Sequence, residues 1–188
     1  MILEIVVGSK KTDYHVPKQP SWRLRFMGKA NLRAGLKGGC ACGELRFELA
    51  REPMFTNCCH CTQCQKLTGS AFVINAIIEN DSIKILSGAI TVTGGPSEYG
   101  RPHDIYRCAT CLTPVWSDYG RRRNYRFVRV GTLDEPSSIK PDAHIFVRSK
   151  LDWVIIPESQ KVFEASYMLQ EVWPPQSLTR REAALNGE

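Results

Sequence analysis

Eight cysteines stand at positions 40, 42, 58, 59, 61, 64, 108 and 111 of this 188-residue chain, and their spacing points to metal chemistry. Cys59, Cys61 and Cys64 form a C-x-C-x-x-C string in a run that also holds Cys58 and His60. Cys40-x-Cys42 lies upstream and Cys108-x-x-Cys111 downstream. A structural cysteine is usually an isolated small hydrophobe, so thiols this close together are better explained as ligands of a soft cation. A disulfide scaffold suits small secreted chains, and this chain is not small and is expected not to be secreted.

Thiolates are among the best ligands of zinc, at about 2.3 Å. Cys108 and Cys111 have the spacing of a zinc knuckle. Cys40 and Cys42 can share one face of an extended segment, and Gly38, Gly39 and Gly43 let the backbone bend around an ion. Together the four make a closed site, with no coordination position left over and a structural role. In the inner cluster, Cys58, Cys59, Cys61 and Cys64 all compete. Adjacent residues of an extended chain point to opposite sides, which favours Cys59, Cys61 and Cys64 and leaves Cys58 as a buried or spare thiol. By the same rule His60 faces away from Cys59 and Cys61, and is expected to support the loop or face solvent. A three-ligand zinc keeps a place for substrate, as catalytic sites do. Three thiolates already give it a net negative charge, so it suits the arrival of a thiol sulfur better than the generation of hydroxide. An iron–sulfur cluster is the competing assignment, although most clusters need four cysteines.

The elements that must hold these ligands read as β-strands. From Gly38 onward, short runs rich in β-branched and aromatic residues recur between Gly, Pro, Asn and Asp, the pattern of an all-β domain. Strands are expected at 44–49, 70–78 (central, buried on both faces), 104–107, 113–117 and 125–130. The segments 82–86 and 89–93 read as neighbouring strands joined through Ser87 and Gly88, and 144–147 as the last strand. On 125–130, Tyr125, Phe127 and Arg129 alternate with Arg126, Val128 and Val130. A short strand is also expected at 2–7. Helix signals are sparse; the clearest is a capping box, Thr179 to Glu182, before an apolar run that is expected to fray.

Composition is that of a globular protein, 43% hydrophobic and 23% charged. The formal net charge of +6 sits in residues 1–37, which hold eight Lys/Arg and two acids, while residues 38–188 carry 17 of each sign. The domain itself therefore has no basic excess, and nucleic acid is not an expected partner. No apolar run reaches the roughly 18–20 residues of a membrane span. The expectation is a soluble, cytoplasmic protein, with organelle targeting by the basic segment as the alternative.

Three cysteine groups in this order resemble the glutathione-dependent formaldehyde-activating enzyme (GFA) family, also called the centromere-protein-V domain family. The matching residues are 38–43 around Cys40 and Cys42, Cys59 to Gln65 with 68–72, Arg107 to Pro114 around Cys108 and Cys111, and His144 to Val147 ahead of Lys150 and Trp153. The resemblance covers about residues 36–165, leaving 1–35 as a basic N-terminal extension and 166–188 as a C-terminal tail. It implies tent-like antiparallel β-sheets with few or no helices and two zinc ions per chain. The structural one is held by Cys40, Cys42, Cys108 and Cys111, and the catalytic one by Cys59, Cys61 and Cys64. The implied activity is that of a carbon–sulfur lyase joining formaldehyde to a small-molecule thiol such as glutathione, as an S-hydroxymethylglutathione synthase does. Gln63, Gln65 and Ser70 are candidates for hydrogen bonds to substrate, or for support of the cysteine sulfurs. Arg101, Lys66 and the run Arg121, Arg122 and Arg123 are candidates for substrate carboxylates. One departure is Leu112, where the family often has glycine; Cys58 is the other. The alternative reading is a non-catalytic, zinc-stabilised binding module with a basic arm.

Overall fold

The computed structural model describes residues 35–95 and 100–187. The basic N-terminal segment and the strand expected at 2–7 lie outside the described residues. In chain order the elements are β1 (Leu36–Gly39), β2 (Arg46–Leu49), β3 (Phe55–Cys59), α1 (Thr62–Thr68), β4 (Val73–Glu79), β5 (Ile83–Ser87), β6 (Ile90–Gly95), β7 (His103–Cys108), β8 (Pro114–Tyr119), β9 (Tyr125–Arg129), β10 (Ala143–Ile145), β11 (Lys161–Phe163), α2 (Leu169–Val172) and α3 (Pro175–Asn186). They form a three-stranded sheet, β1-β2-β5, and an eight-stranded sheet, β11-β10-β3-β4-β9-β8-β7-β6. Pairing is antiparallel except at β10, which runs parallel to both β3 and β11. Among the described residues the fold is thus mostly β, with three α-helices.

Side chains alternate across a strand, so each strand of the large sheet presents one set of residues to each face. Ala76, Ile78, Trp116 and Val128 point to the face covered by the small sheet, where Phe47 and Leu49 of β2, and Leu45 just before it, are fully buried against them. Phe47 meets Trp116 edge-to-face, centroids 5.4 Å apart, a favoured aromatic geometry. The opposite face carries Asn57, Cys59, Asn75, Ile77, Phe127 and Arg129. Part of it is covered by the segment after β11, where Trp173 stacks on Phe55 at 5.2 Å. The rest is left for the site.

Helix α3 closes that end of the sheet through polar contacts rather than an apolar stripe. Arg180 grips Glu79 with two hydrogen bonds, Nε to Oε1 at 2.8 Å and Nη2 to Oε2 at 2.7 Å. Ser177 Oγ donates to Met54 O at 2.6 Å. Burial alone would push the Glu79 carboxyl up, but the Arg180 hydrogen bonds and the charges of Arg180 and Arg51 outweigh it and hold Glu79 below its ordinary value. A depressed carboxylate adds stability above the ordinary carboxylate range and loses it as pH falls through the lowered value. Arg180→Ala should therefore cost about 1.5–3 kcal/mol in denaturant unfolding at pH 7. The difference from wild type should shrink as pH falls through that lowered value, where Glu79 becomes protonated and needs no cation.

Several expectations are corrected. The segments 82–86 and 89–93 are not neighbours: β5 pairs with β2 in the small sheet, and β6 pairs with β7 at the edge of the large one. Gly88 carries the chain between sheets at φ +79°, and a Cβ there would lie 2.6 Å from Glu44 O. The chain adds a strand, β11, after β10. The C-terminal helix starts four residues before Thr179, with Pro175 at its first turn, where a missing N–H costs nothing. It is anchored rather than frayed. Strand β3 and helix α1, over the inner cysteines, were both hidden by a segment with no clean period. No helix among the described residues is long and apolar enough to cross a membrane.

Candidate metal centres and active-site cavity

Cys40 and Cys42 sit in the turn after β1, and Cys108 to Cys111 form the turn between β7 and β8. The four sulfurs lie within 4.8 Å of one another, with Cys40 Sγ 3.3 Å from Cys42 Sγ and Cys42 Sγ 3.9 Å from Cys108 Sγ. Thiolates at about 2.3 Å around a tetrahedral zinc stand roughly 3.8 Å apart, so this donor set fits the ion. Backbone bonds shape both turns: Gly43 N donates to Cys40 O and Leu112 N to Cys108 O, each at 3.1 Å. Ala41 N donates to Thr113 Oγ1 at 3.2 Å and joins the two turns. Leu112 adopts φ +59°, the left-handed conformation in which glycine is free of strain. The turn is formed despite the leucine, whose side chain is exposed.

Cys59 ends β3, Cys61 follows the strand, and Cys64 lies in the first turn of α1. Their sulfurs also converge within 4.8 Å, and all three residues are buried. Cys61 is the N-cap of α1, accepting from Cys64 N at 3.3 Å, so the same sulfur that could bind a metal also satisfies a free helix N–H. Hydrogen bonds from the Cys59 and Cys64 thiols hold Cys61 far down, at about 2, against the cost of its burial. The Cys59 thiol is pushed up by the same contacts, Cys61 first and Cys64 next, with burial added. These contacts favour the thiolate at Cys61, the form in which a cysteine binds metal. Three sulfur donors fit a soft or borderline ion such as zinc and leave one tetrahedral position without a protein ligand.

These sulfurs line a cavity of about 380 Å³, within the range of small-molecule sites. The sheet contributes Asn57, Asn75, His103, Tyr119 and Phe127, α1 contributes Gln63 and Leu67, and the segment after β11 contributes Ser166 and Tyr167. His103 stacks on Tyr119 at 4.2 Å, and Tyr119 meets Phe127 edge-on. Tyr167 donates to Asn57 Oδ1 and accepts from Trp173 Nε1, both at 2.9 Å, which ties the late segment to the sheet. Phe146, on the cavity wall, takes a left-handed φ of +57° despite its bulk. Strain of this kind is tolerated where the surroundings fix a functional position. Burial pushes Tyr119 well up, with nearby Cys64 adding to it, so its hydroxyl remains a proton donor at neutral pH.

Cys58 points to the other face of β3, as alternation requires. There it lies 3.6 Å from His60 Nε2, which is 2.9 Å from His144 Nδ1 on β10. Burial lowers His60 to about 4, helped by His144 and Lys150, and lowers His144 as well. Burial also pushes the Cys58 thiol up to about 12. The trio is therefore neutral and bonded within itself. His60 does turn away from Cys59 and Cys61, but into the interior, where it is fully buried rather than facing solvent.

The remaining candidates divide. Gln63 lines the cavity, whereas Gln65 braces the loop, its Nε2 donating to His60 O and Ser149 O at 2.8 Å each. Ser70 and Lys66 are exposed and do not line the cavity. Arg101 and Arg122 do line it, while Arg121 pairs with Asp104 at 3.3 Å and Arg123 lies elsewhere. His103, Tyr119 and Tyr167 escaped notice because nothing local links them to cysteines far along the chain. Phe127 and Arg129 carried a usable signal, the two-residue alternation that sets one face of β9 against the other.

A mostly β domain with a four-cysteine knuckle and a separate three-cysteine cluster opening on a cavity is the class of protein found here. The family model for glutathione-dependent formaldehyde-activating enzyme matches residues 35–149, more than half of the chain, and the chain belongs to that family. A crystal structure of a Rhodobacter sphaeroides protein is also similar, at TM-score 0.42 and 20% identity, covering 56% of this chain and 92% of that one.

Proposed function

We propose that the protein is a zinc-dependent carbon–sulfur lyase acting on a thiol–aldehyde adduct, of the S-hydroxymethylglutathione synthase type. The observation that carries this reading is the trio of Cys59, Cys61 and Cys64 at the wall of a cavity of about 380 Å³, an incomplete ligand set facing space for a substrate. Cys40, Cys42, Cys108 and Cys111 would hold a second, structural zinc. Bound at the trio, zinc supplies an acceptor for a thiol sulfur as its thiolate.

In the forward direction the thiol loses its S–H proton, its sulfur forms a bond to the aldehyde carbon, and the carbonyl oxygen gains a proton. The reverse reaction breaks the same C–S bond and returns the proton to sulfur. We assign Tyr119 as the hydrogen-bond donor toward that oxygen, since burial keeps its phenol protonated. Arg101 and Arg122 supply positive charge for the carboxylates of a substrate such as glutathione, and Gln63 an amide for its backbone. The apolar walls, Leu67, Phe127, Ile145 and Phe146, exclude water and strengthen each of these contacts. A soluble, cytoplasmic location fits such a substrate.

Two-dimensional exchange NMR on glutathione and formaldehyde tests the reading. The zinc-loaded chain should accelerate exchange between the free thiol and the S-hydroxymethyl adduct. If that exchange, and that of a panel of other thiols with aldehydes, stayed at the buffer rate, the proposal would fail.

A further inference from the structure

The two arginines of β9 are both buried, yet they are treated differently. Arg126 points to the face under the small sheet, where Asp118 Oδ2 lies 3.2 Å from its Nη1 and the Tyr106 ring stacks on its guanidinium at 5.0 Å. Its charge is matched. Arg129, three residues on, points to the cavity face and is only 4% exposed. Its partners are neutral: Nη1 donates to Asn75 Oδ1 at 3.3 Å and Nη2 to Ser117 Oγ at 3.2 Å, while Nε has no partner. No carboxylate lies within 4.0 Å of it among the described residues.

A buried guanidinium without an anion is costly and persists where something negative completes it. The sheet says what that is. Arg129 sits opposite Asn75 in the β4–β9 ladder, Asn75 sits opposite Asn57 in β3, and Cys59 is two residues along β3 on the same face. Asn75, which holds the guanidinium, lines the cavity beside all three cysteines.

We propose that Arg129 is the fixed counter-charge of the three-cysteine centre, a positioning residue that lets an anionic trithiolate hold its metal and admit a further anionic sulfur. The inference rests on zinc occupying that centre. Three thiolates leave the ion with one net negative charge, and a substrate thiolate would add a second, in a cavity with little water to screen them. One buried cation offsets half of that total and needs no rearrangement when substrate arrives.

The test is zinc competition with a chromophoric chelator on the full, zinc-loaded chain, with the tightly held zinc as internal reference. Arg129→Met should weaken the labile zinc about 10–100-fold, the range seen when groups supporting metal ligands are removed. The tight zinc should be unchanged, and Arg129→Lys, which keeps the charge, should retain most of the affinity. A folded Arg129→Met chain that holds labile zinc as well as wild type overturns the proposal. So does equal weakening by Met and Lys, which would make guanidinium shape rather than charge the cause. Should Arg129→Met not fold, Arg129→Gln is titrated in its place. If neither folds even without metal while metal-free wild type does, Arg129 serves the fold and the proposal is again overturned. A wild-type chain with no labile zinc is a different failure, because it removes the zinc reading beneath the inference.

Discussion

Cys61→Ser should abolish exchange activity and release one zinc while leaving the fold intact. The sulfur of Cys61 is the focus of the trio, accepting from the Cys59 and Cys64 thiols and from Cys64 N. Replacing it leaves two sulfur ligands, and a loss of at least about 100-fold in activity is expected, beyond the usual cost of disturbing a supporting group. The fold should survive for a local reason. Cys61 caps α1, and serine is among the best N-cap residues, so the substitution preserves the capping bond while weakening the metal site. Near-native circular dichroism with one zinc in place of two is the expected result. Full activity with both zincs retained would show that the trio is not the reactive centre.

Cys108→Ser should do the opposite, removing the fold along with its zinc. Cys108 is 1% exposed and belongs to the core between the sheets, beside Cys40, Val115 and Trp116. It also ties the β7–β8 turn to the end of β1. Binding at a structural zinc is worth about 10–16 kcal/mol in small metal-folded domains, comparable to or larger than the net stability of a typical domain, about 5–15 kcal/mol. Loss of a cooperative thermal transition near that of wild type is expected. Cys111→Ser separates the two contributions, because Cys111 belongs to the same ligand set but is exposed. If metal dominates, the two variants fall together; if core packing dominates, Cys108→Ser falls alone.

Much of the candidate site was legible in the chain because thiols placed to hold a metal announce themselves by type and spacing. Alternation alone separated Cys58 from Cys59, and the structure puts them on opposite faces of β3. It likewise divided residues 125–130 into Tyr125, Phe127 and Arg129 against Arg126, Val128 and Val130, the division between the cavity face and the inner core. The cavity's polar groups were not legible, because His103, Tyr119 and Tyr167 reach the cysteines only through strand order. Strand order is set by long-range pairing, as the parallel strand β10 illustrates: it places Ile145 beside Cys59 from 86 positions away. Local pattern also misjudged the path from β5 to β6. Two short apolar strands joined through Ser87 and Gly88 read as neighbours, but Gly88 is packed against the backbone of Glu44 and Leu45 and serves a crossing between sheets. The C-terminal helix was mistaken for a frayed end because its docking is polar, through Ser177 and Arg180, and so leaves no hydrophobic stripe to read.

Zinc counting under graded chelation tests the two-site reading most directly. The full chain, purified with zinc, should carry two ions by elemental analysis. Mild competition should remove one, together with exchange activity, and leave the fold and the second ion in place. Two ions of equal inertness, or a single ion that survives competition along with full activity, would contradict an open centre at Cys59, Cys61 and Cys64.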